Sequence, residues 1–327
     1  MVEPYRSGFC ECSMGDETYE RGVGCEGGRT NVLCSSVCES SSNLYAEATI
    51  RESEARDRGD GCLAIALAYS TSDVLPHVWT QIRAWCDANV IDELALVVKI
   101  GADDRLDLGS CRVSLVQQDA GLDALSRLER MRELRARQLD ALKARTDLPG
   151  VVVVVDLDVE RLPSPWELLV GIDLVRTGDW DVLCANGAEH YDGQLSYYDT
   201  FATIRHGSGW MYPPELSEQR NLFRELSASP ERVVDVRACF GGLGVYRRDL
   251  WTGGPDGNCS YRYQPQASFT VATDSSMDSD HPFWCEHVGL TECLRLQQPS
   301  LRMGVMGLLQ LRRGYDPHRR RRLSILT

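Results

Sequence analysis

Lysine is almost missing from this chain. Of its 35 basic residues only Lys99 and Lys143 are lysine, leaving 33 arginines, a bias that reads most simply as the codon usage of a GC-rich genome. A phosphate-binding loop closing on Gly-Lys-Ser/Thr is excluded, because neither lysine follows a glycine. Schiff-base chemistry is left with two candidate amines. Basic charge is short overall: 48 acidic residues give a formal net charge of −13, which excludes a general polyanion binder, since phosphate-backbone binding needs a basic surface. No nucleic-acid partner is therefore expected. No apolar run approaches the roughly 18 residues of a membrane-spanning helix, so no membrane span is expected either. The opening stretch MVEPYRSGFCECSMGDE has neither the basic nor the apolar segment of a secretory leader. Hydrophobic content of 43% and charged content of 25% are ordinary for a globular protein. At 327 residues the chain can bury a sizeable core, in two domains or one large α/β domain.

Cysteine, by contrast, is abundant, with thirteen residues. Five fall in the first 38 residues (Cys10, Cys12, Cys25, Cys34 and Cys38), and eight are scattered singly beyond them. Disulfides fit a secretory lumen and leave at least one thiol over. Zinc wants paired C-x-x-C knuckles, a spacing that no pair has. Cys62, Cys184 and Cys239 lie inside apolar stretches and are expected as small core hydrophobes. Asn258-Cys259-Ser260 is a formal N-glycosylation sequon.

Residues 1–60 are rich in Cys, Ser, Gly and Glu without a sustained apolar period, and read as an irregular arm with a short helix around Leu44 to Arg56. Order begins at CLAIALAY (62–69), a buried parallel strand followed by cap residues. The spacing predicts a helix over 75–88, strands over 93–100 and 111–118, and a long helix from Asp123 to Arg145. VVVVVDLDVE (151–160) is the clearest strand, Pro163 and Pro165 open a helix through Val175, and 180–186 is another strand. This alternation gives an α/β fold: a mostly parallel, Rossmann-like sheet with helices on both faces. Ligands bind beyond the carboxyl ends of such strands, which puts Ser70 to Asp73 and Asp156 to Glu160 on one rim. Strands over 233–240 and 243–248, joined by Gly- and Pro-rich loops, suggest a smaller mixed, acceptor-shaping half. The organisation is thus an arm (1–60), a domain over 61–300 with halves 61–186 and 187–300, and a final strand with a basic tail (301–327). The segment from Gly207 to Glu231, with Trp210, Tyr212 and two prolines, is expected as an acceptor lid.

Asp156-Leu157-Asp158 ends the five-valine strand, and alternation puts both carboxylates on one side. Two convergent carboxylates repel unless a cation lies between them. A hard ion such as Mg²⁺ or Mn²⁺ takes oxygen ligands and completes its shell with water and substrate phosphate. Two chemistries use such a strand. Haloacid-dehalogenase-type phosphatases would make Asp156 the nucleophile, but they carry the motif on their first strand and need a downstream lysine. Here three strands precede it and no lysine follows residue 143. The other chemistry is that of GT-A-type glycosyltransferases, which use nucleotide sugars.

At this point the chain resembles the fungal capsule-associated α-1,3-mannosyltransferase family and its algal and protist relatives, over roughly residues 62 to 296. RLERMRELRARQL (127–139) is similar to that family's Arg-Ile-Glu-x-Leu-Ala-x-x-Arg-Asn helix, with Arg135 on its arginine, Ala136 in place of the asparagine and Arg132 in place of the alanine. VVVVVDLDV occupies the metal strand. WDVLCANGAEHYDGQLSYYDTFATI (180–204) resembles the stretch ending in Tyr-Asp-Thr-Trp, through Tyr198, Asp199 and Phe201. CFGGLGVYRRDLW (239–251) and CEHVGLTECL (285–294) resemble its Cys-Trp-Gly-Gly and Ser-Glu-Cys segments.

The resemblance implies a GT-A-like fold and a metal-dependent transferase with a Mn²⁺ or Mg²⁺ cofactor. Its donor is a nucleoside-diphosphate sugar, with GDP-mannose favoured and a UDP-sugar the alternative, and its partner is a glycan or glycoconjugate acceptor. It also implies a Golgi or secretory lumen, whereas a true start at Met1 with no leader points to the cytoplasm. Asp158 is the expected first metal ligand, Asp156 contacts the ribose or the metal through water, and His287 either completes the shell or is an ordinary histidine at a helix start. Glu286 is the acceptor-side base or hydroxyl orienter, at the Ser-Glu-Cys glutamate. Asp199, beside Tyr198, binds sugar hydroxyls. Ser70, Thr71 and Asp73 either dock the nucleotide or simply cap a helix. Arg135 either reaches the pyrophosphate bidentately or belongs to a solvated arginine face. Gly241-Gly242 either lets a sugar ring approach the backbone or forms a tight bulge. The competing class is a catalytically silent nucleotide- or sugar-binding relative.

Overall fold

A computed structural model of the chain describes residues 12–14, 17–19, 62–68, 76–99, 108–118, 120–191, 194–197, 199, 202–206, 216–263 and 285–313. Two short strands, β1 (Cys12–Met14) and β2 (Glu17–Tyr19), pair with each other in the arm. The body is one sheet built from β3 (Cys62–Ala68), β4 (Glu93–Lys99), β5 (Arg112–Gln118), β6 (Val151–Val155), β7 (Val182–Tyr191), β8 (Gln194–Tyr197), β9 (Ile204–Arg205), β10 (Val233–Ala238), β11 (Leu243–Arg247) and β12 (Met303–Arg312). The helices are α1 (Pro76–Asp87), α2 (Arg127–Lys143), α3 (Pro165–Arg176), α4 (Leu216–Ala228), α5 (Arg248–Trp251) and α6 (Glu286–Gln297).

The strand order is β5-β4-β3-β6-β11-β7-β12-β10-β9, with β8 on β7. β5, β4, β3 and β6 are parallel neighbours, as the alternation of strands and helices requires. β11 enters antiparallel between β6 and β7, and β12 returns parallel to β7. Only β8, β10 and β11 run against the rest, so the sheet is mostly parallel with a mixed half. β7 runs through the 186/187 division expected between halves. The carboxyl ends of β3, β4, β5 and β6 make one rim, and β11 starts on that rim, since Leu243 lies opposite Val155.

Alternation along β6 sorts its valines. Val151, Val153 and Val155 face a core completed by Val78, Ile82 and Trp85 of α1 and Leu168 and Ile172 of α3. Val152 and Val154 face the opposite core, with Leu139 and Leu142 of α2, Leu222 and Leu226 of α4 and Leu290 and Leu294 of α6. Each fully buried valine contributes about 1.5–3 kcal/mol of transfer free energy before ordering is counted. A central strand buried on both faces is why five consecutive valines are tolerated. Helix starts follow from capping boxes, Ser126 with Glu129 on α2 and Ser164 with Glu167 on α3, where Pro165 also fits the first turn.

Three expectations change. The strand over 151–160 stops at Val155, because β11, its partner, begins at the same level. The lid over 207–231 is not structureless: α4 occupies 216–228, with Leu222 and Leu226 buried, while Trp210, Tyr212 and the prolines lie outside the described residues. Cys184 and Cys239 are bonded to each other rather than being free core thiols, and Cys86–Cys111 and Cys259–Cys293 are also disulfides. Cys62 is buried, and Cys285 is a half-buried thiol outside these bonds. The short helix expected around Leu44 to Arg56 falls outside the described residues.

Candidate functional site

At the end of β6 the chain turns out of the sheet, and the Asp156 amide donates to the Gly242 carbonyl at 2.8 Å. Leu157 turns back into the core while Asp156 and Asp158 stay on the open side, 20% and 49% exposed at the side chain. Arg135, only 1% exposed, donates from one terminal nitrogen to Asp156 Oδ1 at 2.5 Å and from Nε to Glu286 Oε1 at 3.2 Å. Glu286 opens α6, a position where the helix dipole favours a carboxylate. Asp158 Oδ2 pairs with Arg313 at 3.2 Å, just beyond β12.

The loop before β11 supplies the floor. Gly241 and Gly242 have φ of +66° and +80°, and a Cβ on Gly241 would stand 2.0 Å from the Ala185 carbonyl oxygen. The glycines are thus required by the turn itself. The Gly241 amide donates to Asp199 Oδ2 at 2.7 Å, fixing that carboxylate on the same loop. Phe240 is buried beneath the guanidinium of Arg135, 5.1 Å from ring centroid to Cζ. The His287 ring stacks on Phe240 with centroids 3.6 Å apart and meets Tyr261 edge-on at 5.4 Å. Behind the loop, the Cys184–Cys239 disulfide ties it to β7.

Among the described residues, charge is unbalanced here: Asp156, Asp158, Asp199 and Glu286 face two guanidinium groups, Arg135 and Arg313. Burial pushes the Asp156 carboxyl up to about 7; Arg135 opposes this, and Asp158, Glu286 and Asp199 add to it. Burial also pushes Asp199 up to about 6, against the Gly241 amide that favours its charged form. Burial works against the Arg135 charge, but Asp156 and Glu286 outweigh it and the group stays protonated. Burial, helped by Arg135, holds the His287 imidazole well below its usual range, so the ring is neutral.

This donor set fits a hard divalent cation in part. Asp156 and Asp158 offer carboxylate oxygens on the open side of the rim, the ligand type that Mg²⁺ and Mn²⁺ prefer. Among the described residues, however, no group of three or more His, Cys, Asp or Glu is set to hold a metal ion, so Asp156, Asp158 and His287 are not gathered into one cage. His287 lies flat on Phe240 at 2% exposure, and neither ring nitrogen has a hydrogen-bond partner there. Two carboxylates with water and phosphate completing the shell is the arrangement that suits Mg²⁺.

Of the residues singled out from sequence, Arg135, Asp156, Asp199, Gly241, Gly242, Glu286 and His287 come together and Asp158 borders them. Ser70, Thr71, Asp73, Tyr198 and Phe201 lie outside the described residues. Arg135 is not part of a solvated face; it is the buried cation of the site. Sequence reasoning missed Phe240 as the platform and the Arg135–Glu286 contact across 151 positions, for which no local pattern exists. An open cleft of about 550 Å³, lined in part by Leu122, Arg132, Arg137 and Arg262, lies beside α2 and contains none of these groups.

No protein-family model matches the chain, and no curated protein matches it. Among solved structures it is similar to a mycobacterial protein at 18% identity and a TM-score of 0.42, over 84% of this chain and 72% of that one. It is similar to S. aureus TarS 1–349 in complex with UDP at 14% identity and a TM-score of 0.42, over 81% of this chain and 64% of that one. It is also similar to mannosyl-3-phosphoglycerate synthase from Rubrobacter xylanophilus at 14% identity and a TM-score of 0.40, over 83% of this chain and 73% of that one.

Proposed function

We propose that the protein is a metal-dependent glycosyltransferase of GT-A type that moves a sugar from a nucleoside-diphosphate donor to a hydroxyl acceptor. The observation that carries this reading is the excess of carboxylates at the carboxyl end of β6, where burial and mutual repulsion raise Asp156 to about 7. A site whose described residues are so short of positive charge favours a divalent cation and, through it, a diphosphate. Asp156 and Asp158 would hold the ion, which supplies charge neutralisation to a departing diphosphate when bound. Arg135 acts as a positioning residue, fixing Asp156 and Glu286 relative to each other through charge-assisted hydrogen bonds. Asp199, held by the Gly241 amide, binds sugar hydroxyls. Glu286 takes or orients the acceptor hydroxyl proton. The resemblance to the capsule-associated mannosyltransferases favours mannose and GDP, and the three disulfides among the described residues support a secretory lumen.

One observation favours a second reading, a silent nucleotide- or sugar-binding protein: Glu286 Oε1 is already occupied by Arg135. Phosphatase chemistry through Asp156 gains no support, because Oδ1 of Asp156 is taken by Arg135 and no lysine follows Lys143. The test is release of nucleoside diphosphate from GDP-mannose and from UDP-sugars in the presence of Mn²⁺, for wild type and Glu286→Gln. The expected outcome is turnover in wild type and a loss of about 10²–10⁴-fold in the variant, at unchanged nucleotide affinity. No turnover in wild type with retained nucleotide binding moves the protein to the silent class, and equal turnover in both removes the role given to Glu286.

A further inference from the structure

The sequon at Asn258 is the one such motif among six asparagines in the chain. The structure places it on the loop between α5 and Cys259. Three independent contacts pin that loop: the Cys259–Cys293 disulfide, Lys143 Nζ donating to the carbonyls of Gly257 at 3.0 Å and Cys259 at 3.2 Å, and the Asp256 amide donating to Gln297 Oε1 at 3.3 Å. Cys259 is buried, whereas Pro255 to Asn258 are exposed. The Asn258 side chain makes no hydrogen bond to a described residue, so nothing in the fold accounts for an amide there.

We propose that Asn258 is a modification site carrying an N-linked oligosaccharide. Among the described residues, three disulfides join partners 25, 55 and 34 positions apart, and such bonds persist in oxidising, secretory compartments, where lipid-linked oligosaccharides are also available. In the transfer step Asn258 Nδ2 attacks the anomeric carbon of a lipid-linked diphospho-oligosaccharide and gives up one proton. The bond from that carbon to the diphosphate oxygen breaks, and the lipid diphosphate leaves. No oxidant or reductant is needed.

The position is compatible with an open active site. Glu286 starts α6 at the acidic rim, and Gln297 ends the same 12-residue helix against the loop of Asn258. That helix is about 18 Å long, so the glycan projects from the opposite end of the sheet. Because the central sequon residue is Cys259, transfer must precede closure of Cys259–Cys293, which buries that residue and fixes the backbone next to Asn258.

The full chain, translated behind a cleavable secretory leader into endoplasmic-reticulum microsomes, tests this independently of the transferase reading. Wild type should gain the mass of one glycan, lost on treatment with peptide-N-glycosidase and absent from Asn258→Gln. Cys293→Ser, which keeps Cys259 from closing on its partner, should carry the glycan at equal or higher occupancy. No glycan on either wild type or Cys293→Ser overturns the proposal. A glycan on Cys293→Ser alone also overturns it for the native chain, because the disulfide then closes first.

Discussion

A guanidinium at 1% exposure is costly to desolvate, by several kcal/mol, and Arg135 is tolerated because Asp156 and Glu286 both sit on it. The reverse does not hold, since the carboxylates outnumber the cations and two of them are raised, Asp156 to about 7 and Asp199 to about 6. A carboxyl whose folded pKa lies above its unfolded value binds more protons when folded. Its stabilising contribution is complete below about pH 4 and is lost as pH rises through the folded pKa. Glu133, held down to about 2 chiefly by its hydrogen bond to Arg262, acts in the opposite sense, but its contribution is complete by about pH 5. The buried neutral His287 also opposes the raised carboxyls, since its contribution grows until pH passes the ordinary imidazole value. With two raised carboxyls against one imidazole, melting temperature measured in chelator should still fall between pH 5 and about 7 in wild type, and Asp199→Asn should flatten the lower part of that fall. An unchanged slope in the variant contradicts the raised pKa of Asp199. At this scale Asp156 was legible because five valines lead into it. Arg135 was singled out by the resemblance alone; spacing did not separate it from the other arginines of α2, since its burial rests on a partner 151 residues away.

Among the elements, the turn before β11 positions most of the site: its amide and carbonyl groups hold Asp199 and Asp156, and Phe240 lies beneath Arg135. Gly241→Ala should cost at least about 1–2 kcal/mol, from the left-handed backbone alone. The clash with the Ala185 carbonyl adds to that. Gly150→Ala is the control: nothing lies within 4 Å of its Cβ position and its φ is not positive, so its change should stay within about 0.5 kcal/mol. Chemical denaturation of both variants reads the difference, and equal stabilities contradict the account of the turn. Gly241-Gly242 was visible as a special backbone position, but whether it served a turn or a ligand depends on Ala185, a strand away. The signal for α4 was present, in the spacing of Leu222, Phe223 and Leu226, and was outweighed by the prolines and aromatics ahead of it. The Cys184–Cys239 pairing had no comparable signal, because both residues sit in apolar stretches of sequence and read as ordinary core.

For the whole molecule, alternation of strands and helices over 62–186 was enough to read the parallel half, because each crossover is local in sequence. The insertion of β11 between β6 and β7 was not, since it joins segments about 60 to 90 positions apart. That insertion brings the glycine turn onto the acidic rim and makes a site from residues spread between 135 and 313. The proposed transferase activity requires this rim to bind a nucleoside diphosphate through a metal held by Asp156 and Asp158. Thermal unfolding with GDP and with UDP, each with and without Mn²⁺, on wild type and Asp158→Ala, tests it most directly. At a hundred times its dissociation constant the bound nucleotide should stabilise the fold by about 2.7 kcal/mol, only with Mn²⁺ and only in wild type. Stabilisation by neither nucleotide, or by one of them equally in Asp158→Ala, contradicts that requirement.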